Sequence, residues 1–206
     1  MLLENRIAIV SGIGPGMGRD ISLAFAREGA HVVLAARGAD KLEEVAADVR
    51  KAGRRALCVP TDIGKKEDCV ELVEAAKKEF GRVDVLVNNA FKGPSFKTFE
   101  NDDLDGWRSI FDVNVFGALQ LTKEVVPLMK DQGGGSRELG QYKIRVNSVV
   151  PGYIWGASLE GYFKMLAKQQ GVTPEDVYAS VAKHTALNHI PHSQEIADSV
   201  VFFASD

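Results

Sequence analysis

The chain has 206 residues, is 45% hydrophobic and 26% charged, and carries a formal net charge of −3, which fits one ordinary globular domain, residues 1–206, with a sizeable core. Its Lys and Arg residues are scattered along candidate helices, with no basic stripe or polybasic cluster, which argues against nucleic acid or a membrane surface as partner. Residues 1–6 lead straight into a short apolar run without a long hydrophobic segment or cleavage site, so a cytoplasmic protein is expected, with no signal peptide or membrane span.

Residues 7–10, Ile-Ala-Ile-Val, predict a buried first strand, and Met17, Ile21, Ala24 and Phe25, spaced i, i+4, i+7, i+8, predict one face of the first helix. Between them stand Gly12, Gly14, Gly16 and Gly18. A plain strand-to-helix turn needs one or two glycines; this many let the backbone turn tightly and bring bare N–H groups close to an anion, where the new helix also points its positive end. The turn is a candidate phosphate site.

The pattern then repeats. Residues 31–36 predict a second strand; Leu42, Val45, Ala46 and Val49 predict a helix opened by a capping box of Asp40 and Glu43. Residues 55–59 predict the third strand. Cys69, Leu72, Val73 and Ala76 predict the third helix, and residues 83–87 the fourth strand. Cys58 in a strand and Cys69 on an apolar helix face form no CxxC pair and are expected to be reduced packing residues. Strands of near-continuous apolar residues alternating with helices predict an α/β fold, a doubly wound parallel sheet covered on both faces. A longer helix is expected over 103–130, with Trp107, Ile110, Phe111, Val115, Ala118, Leu121 and Val125 on one stripe and Pro127 disturbing its last turn.

Each of the first three helices ends in a charged tail followed by Gly29, Gly53 or Gly81, the pattern of a glycine C-cap. A fourth such tail, Arg137-Glu138-Leu139-Gly140, precedes a predicted strand over 144–150, yet only Asp131-Gln132-Gly133-Gly134-Gly135-Ser136 stands before it. A helix tail without its helix points to a missing segment between Ser136 and Arg137, where one strand-plus-helix unit would be about 30 residues. The alternative is a deletion in which the long helix connects directly to Ile144. The last helix, with Ile196, Val200, Phe203 and Ala204 on one face, is likewise expected to be followed by a strand.

The glycine spacing Gly12-x-x-x-Gly16-x-Gly18 after Ser11 differs from G-x-G-x-x-G. Together with Thr61-Asp62-Ile63, Asn88-Asn89-Ala90, Asn114 in Asp-Val-Asn-Val-Phe-Gly, and Arg145-Val-Asn-Ser-Val-Val-Pro151-Gly152, it resembles the short-chain dehydrogenase/reductase family. That resemblance implies a Rossmann-like NAD(P)-binding oxidoreductase acting on a small alcohol or carbonyl substrate, forming a homodimer or homotetramer. It implies that Gly12, Pro15, Gly16, Met17 and Gly18 lie against the adenosine and pyrophosphate, with Asp62 and Ile63 at the adenine. Asn89 and Ala90 would border the ribose, Pro151, Gly152 and Ile154 would line the nicotinamide, and Asn88 would pin neighbouring strands. All these positions follow strands at their carboxyl ends, where such sheets bind ligands. Asn114, in the apolar stripe, is expected to be buried and hydrogen-bonded; the resemblance makes it the residue that bends the helix and holds a water in the proton relay.

At the end of the second strand Ala36 stands where an NAD-specific relative places a carboxylate, and Arg37 follows. A guanidinium suits a 2′-phosphate, so NADP is favoured over NAD. The family's chemistry needs a serine, and a tyrosine with a lysine four residues on, as acid–base unit. None of Tyr142, Tyr153, Tyr162 and Tyr178 has that lysine, and adjacent Tyr142-Lys143 precedes a predicted strand. The unit would belong to the missing segment. The alternative reading is a non-catalytic NADP-binding or scaffold protein. Two further departures are Phe91 in place of glycine after Asn-Asn-Ala, and Gly156 in place of threonine after Pro-Gly-x-Ile-x. Phe91, Tyr153 and Trp155 are candidates for an apolar substrate wall, with residues 156–190 as a lid. His184, His189 and His192 match no metal-ligand spacing and read as loop residues.

Overall fold

The computed structural model describes residues 1–93, 95, 97–132 and 142–205. Four parallel strands, β1 (Ile7–Ser11), β2 (His31–Ala36), β3 (Ala56–Pro60) and β4 (Val85–Val87), lie in the order β3-β2-β1-β4. This is one half of a doubly wound sheet continued by one strand past the reversal of order. Alternation along the strands sends Ala8, Val10, Val32 and Leu34 to one face, where α1 (Met17–Arg27), α2 (Ala39–Lys51) and α8 (Ser193–Ala204) cover them. Ile7, Ile9, Val33 and Ala35 face the other way, onto α3 (Lys66–Phe80) and α5 (Ala118–Asp131). The registers Ile7↔His31 and Ala8↔Val85 keep these sets aligned across the sheet.

Gly29, Gly53 and Gly81 all take positive φ behind the first three helices, as their sequence predicts. The capping box at the second helix is not formed. The chain enters α2 at Gly38, whose backbone is extended, so Asp40 falls within the first turn and acts through the helix dipole.

The long helix is present but interrupted. Asp103 caps α4 (Leu104–Phe111) by accepting a hydrogen bond from Asp105 N; a π-helical turn over Asp112–Gly117 follows and leads into α5, which carries Pro127 within it. Leu121 and Val125 are buried as predicted, whereas Trp107, Phe111 and Val115 are exposed; at the α4 end of the stripe Phe99 meets Trp107 edge-on, 6.0 Å between ring centroids.

Residues 144–150 are a second correction: they form no strand. A β-branched sequence needs a neighbouring edge to pair with, and β4, the last strand of the sheet, is not paired to them. The tail 137–140 and the junction between Ser136 and Arg137 lie outside the described residues.

Residues 156–190 build a separate lobe from α6 (Ala157–Gln170) and α7 (Pro174–Ala182), with its own small core of Phe163, Ala167, Val177, Ala182 and Ile190. Trp155 closes this core edge-on against Tyr178, 4.9 Å between ring centroids, and its backbone N–H donates to Pro191 O at 2.8 Å. The lobe is thereby tied to the start of α8. That start is in turn held on α1, where the Ser193 hydroxyl donates to buried Asp20, which also faces the Arg19 guanidinium at 3.5 Å. Asp20→Ala leaves that hydroxyl without its acceptor inside the protein. The expected cost is about 2 kcal/mol, or roughly 4–8 °C in melting temperature, read by thermal denaturation.

Cys58 and Cys69 are free thiols. Burial, helped by a hydrogen bond with Glu43, pushes the Cys58 thiol up to about 12; burial, then Asp68, pushes Cys69 up to about 11. Both therefore stay protonated at pH 8, and a thiol reagent is expected to label them slowly in the folded protein and rapidly once it is unfolded.

Candidate functional site

The carboxyl ends of β1 to β4 open into a cleft of about 1050 Å3. Its floor is the glycine turn. Gly12 has φ +76°, and a Cβ there would lie 2.4 Å from Ala90 Cα; a Cβ on Gly18 would lie 2.4 Å from Gly12 O. These two glycines let the turn pack against the end of β4 and against itself. At Gly14 and Gly16, by contrast, a Cβ would meet no atom within 4 Å. They border open space at the amino end of α1, whose N-cap Gly16 supplies no side-chain cap. The first-turn N–H groups are thus directed at the cleft with the positive end of the helix.

Side chains fix the geometry of that turn. Ser11 Oγ donates to Val87 O (3.2 Å) and accepts from Asn89 N (3.1 Å) and Ala90 N (3.3 Å). Asn89 Nδ2 donates to Ser11 O (3.2 Å) and Gly12 O (3.0 Å). The amide that ties β4 to its neighbour is therefore that of Asn89. Asn88, expected in that role, is exposed and donates instead to Thr122 Oγ1 on α5 at 3.0 Å, because its side chain lies on the helix side of the strand end.

Around the rim, Asp62 folds into a turn: its Oδ1 accepts from Gly64 N (3.1 Å), and its own N–H donates to Asp68 Oδ2 (2.8 Å) at the start of α3. Ile63 is buried beside it, under Gly117 of the π-helical turn, where a Cβ would lie 2.7 Å from Ile63 O. Arg37 is exposed on the cleft wall with Lys41, Asp40 and Glu44 from α2, and among the described residues its guanidinium has no hydrogen-bond partner.

Asn114 is half-buried, with less cover than the apolar stripe predicts, since that stripe is partly open. Its amide is satisfied at both ends: Oδ1 accepts from Lys92 N (2.8 Å) and Nδ2 donates to Lys92 O (3.0 Å). It lies in the π-helical turn and is not among the cleft-lining residues; it positions Lys92, which is.

The structure brings Gly12, Pro15, Gly16, Met17, Gly18, Arg37, Asp62, Ile63, Asn89, Ala90 and Ile154 onto one cleft. Pro151 and Gly152 are displaced from it. They line a second cavity beside β4, which the two sites share at Met17, Asn89, Ala90, Phe91 and Ile154. Their displacement follows from the unpaired backbone of residues 144–150, which would otherwise deliver them to a strand end. Phe91 and Trp155 line the cleft, whereas Tyr153 is exposed and not part of its wall. His189 faces Glu195 at 3.1 Å, and Glu195 Oε1 accepts the His192 backbone N–H at 2.8 Å at the start of α8. Asp20, Ser193 and Lys92 also line the cleft and were not evident from sequence. The one signal was an aspartate in the first turn of the glycine helix, and its partner is far away in the chain.

A glycine turn opening an uncapped helix at the carboxyl edge of a 3-2-1-4 parallel sheet defines a dinucleotide-binding class of α/β protein. The family described as short chain dehydrogenase matches residues 6–136, and the chain belongs to that family of NAD(P)-binding Rossmann-fold oxidoreductases. It is 28% identical to the 7alpha-hydroxysteroid dehydrogenase of Escherichia coli K12, covering 98% of this chain and 88% of the relative. It is 30% identical to the short chain dehydrogenase/reductase astE of Aspergillus oryzae, covering 99% and 89%. The structure of L-sorbose reductase from Gluconobacter frateurii, complexed with NADPH and L-sorbose, superimposes with a TM-score of 0.90 at 29% identity, covering 100% and 92%. The alignment to the E. coli enzyme runs over 237 residues against 206 in this chain, so that relative carries residues with no counterpart here.

Proposed function

We propose that the chain binds NADP(H) in the cleft as the nucleotide-binding part of an oxidoreductase acting on a small alcohol or carbonyl substrate. The observation that carries this is the open space at Gly14 and Gly16 before the uncapped end of α1, a cradle that side chains would fill and an anionic pyrophosphate suits. Gly12, Pro15, Met17 and Gly18 shape the turn, and Asn89 and Ala90 hold its far side beside the ribose. Asp62 and Ile63 border the adenine. Arg37, whose guanidinium has no hydrogen-bond partner among the described residues, takes the 2′-phosphate, and the L-sorbose reductase relative is itself seen with NADPH. NAD is the weaker alternative, since no carboxylate stands at Ala36. Ile154, with Pro151 and Gly152 once their segment is ordered as a strand, screens the nicotinamide from water.

When bound, the nicotinamide supplies or accepts the hydride. This chain's own residues hold and orient: Asn114 fixes the Lys92 backbone at the cleft mouth, and the lobe of α6 and α7, hinged at Trp155, covers the substrate end. The acid–base serine, tyrosine and lysine belong to the segment absent between Ser136 and Arg137. The family match that ends at residue 136 and the longer relatives both support that position. We place the protein in the cytoplasm, where its free thiols stay reduced, as a homodimer or homotetramer through the exposed face of α4 and the π-helical turn around Phe111, Val115 and Phe116.

The lack of any Tyr with Lys four residues on favours a second reading for the chain as it stands, a nucleotide-binding module without turnover. Quenching of NADPH fluorescence tests binding, and cofactor absorbance with a panel of ketones and secondary alcohols tests turnover. Binding without turnover in the 22.4 kDa chain, with turnover in a heavier natural product, is the expected result. No NADPH binding overturns the proposal.

A further inference from the structure

Asp20 is a carboxylate buried where an anion is expected to bind. It is 5% exposed, yet it lines the cleft together with the glycine turn. Its backbone N–H donates to Gly16 O at 3.2 Å, which sets it one turn beyond the N-cap of α1. Side chains on a helix tilt toward its amino end, so the carboxylate leans back toward the first-turn N–H groups. A pyrophosphate in the cradle at Gly14 and Gly16 approaches the same groups from the cleft. Two anions thus share one positive helix end.

Helix stability alone does not account for this placement. A first-turn carboxylate gains from the helix dipole while exposed to water, and burying it adds a desolvation cost that its partners must offset. An uncharged contact would join α1 to α8 without that cost. The partners present cover the charge unequally. Oδ1 faces Arg19 Nη1 at 3.5 Å, but that side chain is 38% exposed, and its Nη2 donates to Asp48 Oδ2 on α2 at 2.8 Å. Oδ2 accepts from the Ser193 hydroxyl, its one hydrogen-bond donor among the described residues. Ser193 reaches Asp20 from the stem of the α6–α7 lobe, because His192 just before it pairs with Trp155 in an isolated parallel bridge.

We propose that Asp20 sets the affinity for the cofactor: its negative charge opposes the pyrophosphate, and the Ser193 hydroxyl, by hydrogen-bonding the carboxylate, reduces that opposition. This rests on the pyrophosphate lying at the glycine turn, as the preceding section has it. Asp20 holds binding below what the turn alone allows, which favours release of the cofactor. Ser193 makes the grip depend on the lobe, since the stem of the lobe and the phosphates bear on one side chain. A stem seated with Ser193 on Asp20 favours bound cofactor, and by linkage bound cofactor favours that seating.

The test is calorimetric titration of the parent and three variants with NADPH and with 2′-AMP, which has the adenine and 2′-phosphate but no pyrophosphate. Asp20→Asn keeps the shape and an acceptor for Ser193 and removes the charge, so it is expected to bind NADPH about ten-fold tighter, the size of a unit-charge repulsion across a partly buried site. Its affinity for 2′-AMP is expected to match that of the parent. Ser193→Ala keeps the charge and removes the donor, and is expected to bind NADPH about three-fold weaker. In the Asp20→Asn background the same serine change is expected to have no effect. A contact that only held the fold together would lower the melting temperature and weaken both ligands. Unchanged or weaker NADPH binding in Asp20→Asn overturns the proposal, as does an equal change for 2′-AMP or an equal loss on Ser193→Ala in both backgrounds; each leaves the cofactor reading standing. If Asp20→Asn does not fold, Ser193→Ala alone decides: a loss confined to NADPH supports the role of Asp20, and no loss or one shared with 2′-AMP removes it. A parent that binds no NADPH removes both proposals.

Discussion

Gly12→Val is expected to cost about 4 kcal/mol and to lower the melting temperature by roughly 8–16 °C, whereas Gly16→Ala is expected to leave the melting temperature nearly unchanged and to abolish NADPH binding. The contrast follows from where a Cβ goes. At Gly12 it meets backbone, Ala90 Cα at 2.4 Å and Ala90 N at 2.6 Å, in a position whose φ of +76° already strains any L side chain. No rotamer relieves a clash with backbone, so the turn must part from β4, breaking the hydrogen bonds that Ser11 and Asn89 make across it. At Gly16 the Cβ enters open space, so the fold is spared. In the proposed binding mode that space is where the pyrophosphate approaches the first-turn N–H groups of α1, and a methyl group there would keep it at a distance. Thermal melting and NADPH fluorescence measured on both variants separate the two effects. A Gly16→Ala protein that binds NADPH as the parent does would remove the glycine turn from the site.

The same turn shows why some of the molecule was legible in its sequence. Strands β1 and β2, the buried stripes of α1 to α3 and the positive-φ glycines behind those helices are local or nearly so: period, propensity and cap lie within a dozen residues of one another. What misled was always a matter of partners. Residues 144–150 have the pattern of a strand, but a strand exists only against another edge, and the described structure gives them none. The stripe on α4 is apolar, yet Trp107, Phe111 and Val115 on it stay exposed among the described residues. Asn88 and Asn89 cannot be told apart by composition; which of them reaches back to Ser11 and Gly12 depends on the pleat at the end of β4. The Asp20–Ser193 contact spans nearly the whole chain and leaves only a faint trace, an aspartate in a first turn that a helix dipole would favour anyway.

Arg37→Ala is expected to weaken NADPH binding by about 10–100-fold, the loss of a charge-assisted hydrogen bond of roughly 1.5–3 kcal/mol, with NADH binding unchanged. The guanidinium is exposed and, among the described residues, has no partner, so nothing in the fold depends on it and the variant reads cofactor contact alone. Its surroundings set how far the preference can move. Arg37 directly precedes Gly38, the N-cap of α2, which offers no side chain to its own first-turn N–H groups, and Lys41 lines the same wall. A 2′-phosphate there meets two cations and a helix amino end. Asp40 and Glu44 oppose it from the same helix, so Asp40→Asn is expected to tighten NADPH several-fold while leaving NADH alone. Ala36→Asp combined with Arg37→Ala supplies the carboxylate that a ribose diol prefers and removes the phosphate's partner, so the double variant is expected to prefer NADH. If both cofactors bind Arg37→Ala as they bind the parent, Arg37 serves only to solvate the entry to α2, and the preference for NADP has no basis at this wall.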